Sequence, residues 1–201
     1  MAQKEIECGS YRLTRKDNNG HKCIEIEVGR KLTSGEENLA KEMFGNDIDY
    51  NKVSIYDRKW AFFQGNRVAM APDGNIYFAP DVHKKDFSLG SDGTKHFFIH
   101  EMTHVWQYQK GQAVLKRAGA EQLFIELPSR IGLGSGAYLY ELDVRKNLLD
   151  YGIEQQASIV ADYWAMKRNL FGKLKGSIRA TNYDDMNITY YKIVVDTVIS
   201  K

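Results

Sequence analysis

The first 80 residues mostly alternate between short apolar and polar runs, a pattern typical of β-strands. Two such runs surround Asn19-Gly20, a dipeptide that favours the turn of a β-hairpin, so we expect an N-terminal hairpin within residues 1–30. Further strand-like runs follow between residues 53 and 80, separated by turn residues: VSIYD, KWAFF, RVAMA and NIYFA. The pattern predicts a small, mostly antiparallel sheet.

Helical spacing of apolar residues replaces this alternation in two regions of the chain. The sequence SGEE has the form of a capping box in which Ser34 is the N-cap, and Gly45 can end the helix that follows. Residues 93–111 predict a second helix, with Thr94 as its N-cap and Gly111 after its last turn.

The second half of the chain has a mostly helical pattern. The expected segments are helices at 113–126 and 151–169 and a glycine-rich loop at 129–138, while the pattern at 188–199 does not decide between helix and strand. A group of strands followed by a group of helices predicts an α+β fold.

Composition excludes several classes of protein. The 201 residues include 28 basic and 26 acidic side chains, a balance that argues against nucleic acid or an anionic membrane as partner. No run of about 18 apolar residues is present, so we expect no membrane span. The first residues, MAQKEIECGS, show no signal peptide, which predicts synthesis in the cytoplasm. Cys8 and Cys23 are expected to be free thiols, as in a reducing compartment.

The helix predicted at 93–111 carries the motif H-E-x-x-H, formed by His100, Glu101 and His104. Residues four apart lie on one face of a helix, so both imidazoles can reach one ion at about 2.0 to 2.1 Å. Glu101 is rotated by about 100° from His100 and can instead act on a water molecule at the metal. The spacing supplies two ligands and a base.

The same motif also occurs in helices that bind no metal. Here the neighbouring residues are apolar: Phe97, Phe98, Ile99, Val105 and Trp106. Burial of two imidazoles and a carboxylate in such surroundings is unfavourable unless they have a partner. The context favours a metal ion, and the predicted cofactor is Zn2+.

A catalytic zinc ion requires a third protein ligand and leaves one position for water. His104 is the last histidine of the chain, so a ligand further along must be a carboxylate. Spacing alone does not decide among the acidic candidates, which are Glu121, Glu126, Glu141, Asp143 and Glu154.

Glu154 is the preferred ligand and Glu141 the second choice. Glu154 shares a helix face with small residues that would let its helix approach the histidine helix closely. Asp162, two turns later on that face, is a candidate to hydrogen-bond the outer nitrogen of a liganding histidine, or else an ordinary acceptor or surface acid. His96, one turn before His100, is a further candidate for such support.

Two features bear on a substrate. The strand GNIYFAP, residues 74–80, is either an edge strand that can pair with an extended peptide or an ordinary core strand. A tyrosine often stabilises the developing oxyanion at a zinc site, and the sequence does not choose among Tyr138, Tyr140, Tyr151 and Tyr163.

Several of these segments resemble a known group of metalloenzymes. IHEMTHVWQYQKG is similar to the zinc helix of the metallopeptidases called zincins, and EQQASIVADYW is similar to the glutamate helix of the gluzincin-like group. KLTSGEENLAKEMFGNDIDYNKV, MAPDGNIYFAP and FFIHEMTHVWQ resemble bacterial Vgr-related or Rhs-associated zincin-like proteins, over residues 30–165. The spacing of Glu154 from His104 is longer than in compact gluzincins, and Ser158 stands where those proteins often have an aspartate.

The resemblance implies a mostly α+β zincin domain. We expect one domain over residues 1–201, with a metallopeptidase core in 31–201 and the hairpin in 1–30 outside the better-matched region. It implies zinc held by His100, His104 and Glu154, with Glu101 as the base for hydrolysis of peptide bonds.

It also implies a type VI secretion effector, toxin or processing protease, exported by that system. Its expected partners are a protein or peptide substrate and a secretion-apparatus or immunity protein. Two alternatives stay open: a non-catalytic zincin-shaped binding module of the secretion apparatus, and a hydrolase of the peptide stems of peptidoglycan.

Overall fold

The computed structural model describes residues 11–16, 22–26, 29–62, 64–112, 136–182 and 187–199. Several predictions lie outside these residues: the state of Cys8, the Asn19-Gly20 turn, the helix at 113–126 with its acids Glu121 and Glu126, and most of the 129–138 loop.

The strands form two sheets. Strands β1 (Tyr11–Lys16) and β2 (Lys22–Ile26) pair antiparallel. The second sheet has the order β3-β4-β6-β5 and consists of β3 (Arg30–Lys31), β4 (Ser54–Asp57), β5 (Ala69–Met70) and β6 (Ile76–Phe78). Strands β4 and β6 pair parallel, whereas the other two pairs are antiparallel. The sheet is therefore mixed.

Strand β6, from the GNIYFAP segment, lies between β4 and β5, and all three of its residues are buried. It is thus a core strand, and the neighbouring strand β5 forms the edge of the sheet. The structure settles that alternative in favour of the core.

The described part of the predicted KWAFF strand is not a strand: residues 58–62 run through bends and a turn. The buried Gln64 side chain takes the place of a partner strand here. Its Oε1 accepts from the Trp60 N–H at 2.8 Å, and its Nε2 donates to the carbonyls of Val68 and Tyr77 at 2.8 and 2.9 Å. Backbone groups that hydrogen-bond to a side chain do not need a neighbouring strand as their partner.

The α-helices among the described residues are α1 (Ser34–Phe44), α2 (Asp92–Gln109), α3 (Ile153–Lys167) and α4 (Ile188–Val195). No helix within the described ranges is long and apolar enough to cross a membrane. With the mixed sheet, these four helices give the α+β fold that the pattern of strands and helices predicts.

Both predicted N-caps are displaced. Thr33, not Ser34, caps α1, because Glu36 is the residue that closes the capping box. Glu36 is fully buried and also accepts two hydrogen bonds from Arg30 and one from the Phe87 N–H, so tertiary contacts fix the helix start.

The N-cap of α2 also lies earlier in the chain than predicted, at Ser91. The Ser91 hydroxyl accepts from the Thr94 N–H, which leaves Thr94 inside the first turn. At the other end Gly111 has a φ of 76°, and the N–H groups of Gly111 and Gln112 donate back to Tyr108 and Gln107, a common helix stop.

Helices α2 and α3 pack against each other at the centre of the molecule. Residues 101–107 of α2 and 156–165 of α3 are all buried. Ala157 and Ala161 have no exposed surface, and such small side chains let two helix backbones approach closely. Polar groups on the facing sides of these helices are therefore forced into contact.

Candidate metal centre

Three side chains from α2 and α3 converge on one point. Nε2 of His100 and Nε2 of His104 each lie 3.2 Å from Oε2 of Glu154. The three potential ligand atoms all lie within 4.8 Å of one another. The helical i, i+4 spacing places both imidazoles on the face of α2 that meets the first turn of α3.

The spacing of these atoms suits a metal ion. Ligands about 2.0 to 2.1 Å from a zinc ion at tetrahedral angles lie about 3.3 Å from each other. The two contacts of 3.2 Å between imidazole nitrogen and carboxylate oxygen are close to that separation. His100, His104 and Glu154 could therefore hold a metal ion.

The described alternatives to Glu154 lie elsewhere. Glu141 is exposed, and neither it nor Asp143 joins the cluster of potential ligands. Asp143 instead receives hydrogen bonds from the Arg145 side chain, which lower its pKa to about 2. The structure thus places Glu154, of the described acidic candidates, beside the histidines.

Burial and mutual attraction shape the charges of the cluster. Burial opposes ionisation of Glu154, but the adjacent His104 and the hydrogen bonds from both imidazoles hold its pKa well below the usual range. Burial likewise lowers the pKa of His104, yet the Glu154 carboxylate outweighs this and raises it to about 9. The pKa of His100 falls, chiefly through burial. Without a metal, His104 and Glu154 therefore form an ion pair.

The surroundings of Glu101 raise its pKa, whereas those of Glu154 lower it. The Glu101 side chain lies at the same site and is 4% exposed, and its Oε2 has no hydrogen-bond partner among the described residues. Burial raises the pKa of Glu101 to about 7, although the nearby His104 lowers it in part. A buried carboxylate oxygen without a partner is costly to stability, and such groups cluster where chemistry is performed.

A buried amide that the sequence analysis missed supports the cluster. Nδ1 of His104 lies 2.8 Å from Oε1 of Gln107, and Gln107 Nε2 donates to the Ile153 carbonyl and to Gln156 Oε1, both at 3.0 Å. A usable signal was present, because Gln107 is a polar residue three positions after His104 in an otherwise apolar helix.

Asp162 lies on the predicted face of α3 but contacts a different histidine. Its Oδ1 lies 2.7 Å from Nε2 of His96, while its Oδ2 accepts from the Tyr140 hydroxyl at 2.7 Å and from the Arg179 N–H at 2.9 Å. These partners leave His100 and His104 to other contacts. Asp162 supports the histidine one turn before the cluster.

The four candidate tyrosines separate clearly. The Tyr138 ring lies 5.9 Å from that of His100. Tyr140 is bonded to Asp162, and the Tyr151 hydroxyl accepts from the Asp143 N–H at 2.9 Å. Tyr163 stacks on Tyr191. Of the four, Tyr138 is the one whose ring contacts a residue of the cluster.

No protein-family model matches the chain. Over 156 residues, or 77% of its length, the chain is 42% identical to the type VI secretion system spike protein VgrG2b of Pseudomonas aeruginosa. The match spans 15% of that protein, so the chain corresponds to a small part of it.

The chain also matches a solved structure over most of that structure's length. The chain is 38% identical to the effector domain of Pseudomonas aeruginosa VgrG2b, with a TM-score of 0.64, over 77% of this chain and 86% of that domain. Identity and coverage at this level show that the chain belongs to the family of the VgrG2b effector domain.

Proposed function

We propose that this chain is a type VI secretion effector domain that hydrolyses peptide bonds with a zinc ion held by His100, His104 and Glu154. One observation carries the proposal: two imidazoles and a carboxylate have the mutual spacing of metal ligands, beside a buried carboxylate without a partner. Family membership supports the effector role. A spike protein of the secretion apparatus and an immunity protein are the proposed partners.

Zinc suits these residues better than other common ions. Two histidines and one glutamate form a ligand set used by zinc hydrolases, whereas calcium and magnesium favour sites made of oxygen atoms. A zinc ion in such a set polarises a carbonyl group and lowers the pKa of water toward 7.

Glu101 performs the proton transfers in this proposal. In the metal-free protein, burial raises the pKa of Glu101 to about 7. The carboxylate takes a proton from the attacking water, and the resulting acid gives it to the leaving amine. This role is supported because, in the part of the chain that the structure describes, no group hydrogen-bonds to Oε2.

Two further residues act on the substrate or on the site's charge. We assign the hydrogen bond to the substrate carbonyl oxygen to Tyr138, because its ring lies beside His100. Glu154 keeps its negative charge at neutral pH, which retains an anionic ligand for a cation.

Three variants test the chemistry in the full chain. Wild-type protein should bind about one zinc ion, and His100→Ala should lose it. Glu101→Gln should keep zinc but cleave at least about a hundredfold more slowly, since general acid–base catalysis contributes that much. Glu141→Gln, a matched change at an exposed acid that was the second choice of ligand, should leave zinc content and cleavage unchanged.

Substrate arms separate the competing functions. Zinc-loaded protein is incubated with whole-cell protein extract and, separately, with purified peptidoglycan. Cleavage in the extract that requires Glu101 supports the proposal, and release of stem peptides alone moves the substrate to peptidoglycan. Zinc-loaded wild type that cleaves neither would favour a binding module, and full activity in Glu101→Gln would refute the mechanism.

A further inference from the structure

One fully buried amide connects both sides of the candidate metal centre. Gln107 lies on α2 one turn after His104 and contacts the first turn of α3, which carries Glu154. We infer that Gln107 is a positioning residue that fixes the tautomer of His104 and holds Glu154 beside it. The inference rests on the proposed metal site.

The orientation of the Gln107 amide follows from its three hydrogen bonds. Its nitrogen has two hydrogens, and two acceptors face it: the Ile153 carbonyl and Gln156 Oε1, both at 3.0 Å. The amide oxygen must then face Nδ1 of His104, at 2.8 Å. A reversed amide would place its oxygen against two acceptors.

The second amide removes the remaining freedom. Gln156 Nε2 donates to the Tyr151 carbonyl at 2.8 Å, so Gln156 must present its oxygen to Gln107. Both amides are fully buried. A flip of either one would leave a buried polar group unpaired, at a cost of about 1 to 3 kcal/mol. The chain of bonds ends on a backbone carbonyl, which can only accept.

These hydrogen bonds determine which nitrogen of His104 can bind a metal. An amide oxygen only accepts, so Nδ1 of His104 must carry a hydrogen. In a neutral ring the lone pair is then on Nε2, the atom that lies 3.2 Å from Glu154. Gln107 thus selects the tautomer that a metal at the cluster requires.

The same side chain locates Glu154. Ile153 immediately precedes Glu154, and its carbonyl accepts from Gln107. The His104 ring and the peptide that leads into Glu154 are therefore held by opposite ends of one amide. Because that amide is neutral, it orients His104 without adding a negative charge to a site that already contains Glu101 and Glu154.

The test compares two buried glutamines. Gln107→Leu removes three hydrogen bonds at the cluster, whereas Gln64→Leu removes three hydrogen bonds to Trp60, Val68 and Tyr77. Competition with a chelator measures zinc affinity in the full chain. We expect Gln107→Leu to bind zinc about 10- to 100-fold more weakly, while Gln64→Leu, also destabilised, keeps wild-type affinity.

A spectroscopic measurement separates positioning from general stability. In zinc-loaded wild type, NMR should show a slowly exchanging proton on Nδ1 of His104. This signal should disappear in Gln107→Leu. It should persist in Gln64→Leu, because that variant leaves the Gln107 amide in place.

The possible failures are distinguishable. Wild-type protein that binds no zinc would refute the metal site itself. Zinc-binding wild type whose affinity and Nδ1 signal survive in Gln107→Leu would refute the role of Gln107 alone. Zinc coordination through Nδ1 of His104 in the wild type would also overturn the inference, and that result requires no variant to fold.

Discussion

Two histidine–carboxylate clusters bridge α2 and α3, and they differ in how completely their atoms are paired within the described residues. In the first, which we name the closed cluster, His96 contacts Asp162, and Asp162 also accepts from Tyr140 and Arg179. In the second, the open cluster of His100, His104, Glu154 and Glu101, two imidazoles share one carboxylate oxygen, and no described residue hydrogen-bonds to Glu101 Oε2.

The two clusters use the same types of residue on the same two helices, so residue identity does not distinguish them. Both oxygens of Asp162 are occupied by protein groups, and the Tyr140 hydroxyl is in turn 2.7 Å from that of Tyr191. Such a saturated network stabilises a fold. The open cluster leaves coordination capacity unused, which is the condition for binding an ion.

The largest effect is expected from breaking the closed cluster. Asp162→Ala leaves His96, Tyr140 and the Arg179 N–H without their acceptor, at a cost of about 3 to 5 kcal/mol of unfolding free energy. Urea denaturation measures this loss. The folded variant should bind zinc with wild-type affinity. An unchanged stability with weakened zinc binding would instead assign Asp162 to the metal site.

This comparison also shows what sequence could predict about the site. The i, i+4 geometry of a helix makes His100 and His104 neighbours whatever the surrounding fold, so the motif alone indicates the pair. Glu154 was chosen because small residues on its helix face permit close packing, and the structure places it in the cluster. Asp162 lies on the same face, but its partner depends on how far one helix slides along the other.

For the fold, the sequence predicts the longer helices among the described residues but not several local features. Periodicity predicts α1, α2 and α3, because it reports which face is buried. It fails at KWAFF and at the N-cap of α1, where Gln64 and Glu36 hydrogen-bond to distant backbone groups. It also leaves α4 unassigned, since burial of Tyr191, Val194 and Val195 depends on packing against α3.

Filling the open cluster should produce the next largest effect. Free zinc at about 100 times its dissociation constant should stabilise the protein by about 2.7 kcal/mol, because only the folded state assembles the ligands. Thermal unfolding with zinc and then with excess chelator measures this. His100→Ala should show no such gain. An equal gain in that variant would locate the bound zinc elsewhere.

A pH titration of metal-free protein tests the ion pair of the open cluster. The pKa of His104 is raised to about 9 in the folded state, so its contribution to stability is complete below its unfolded pKa of 6.5 and is lost as pH rises through about 9. We expect unfolding free energy to fall on the order of 1 to 2 kcal/mol between pH 7 and 9.5. His104→Asn should flatten this slope, and a slope that persists would contradict the pair.

The smallest effect is expected at the boundary between the two clusters. Ser158 lies one turn after Glu154 and one turn before Asp162 and is 1% exposed, and its hydroxyl has no hydrogen-bond partner in the described ranges. Ser158→Ala removes a buried unpaired group, so stability should stay equal or rise by up to about 1 kcal/mol. Thr103→Val is the matched contrast, because that buried hydroxyl donates to the Ile99 carbonyl at 2.9 Å. Its loss should cost about 1 kcal/mol.

Zinc affinity decides to which cluster Ser158 belongs. If the hydroxyl is a spectator, chelator competition should give the same affinity for Ser158→Ala and wild type. A weaker affinity would show that the Ser158 hydroxyl orients Glu154 or His100 when the ion is bound. The open cluster would then extend one turn further along α3, and its boundary with the closed cluster would lie at Asp162 itself.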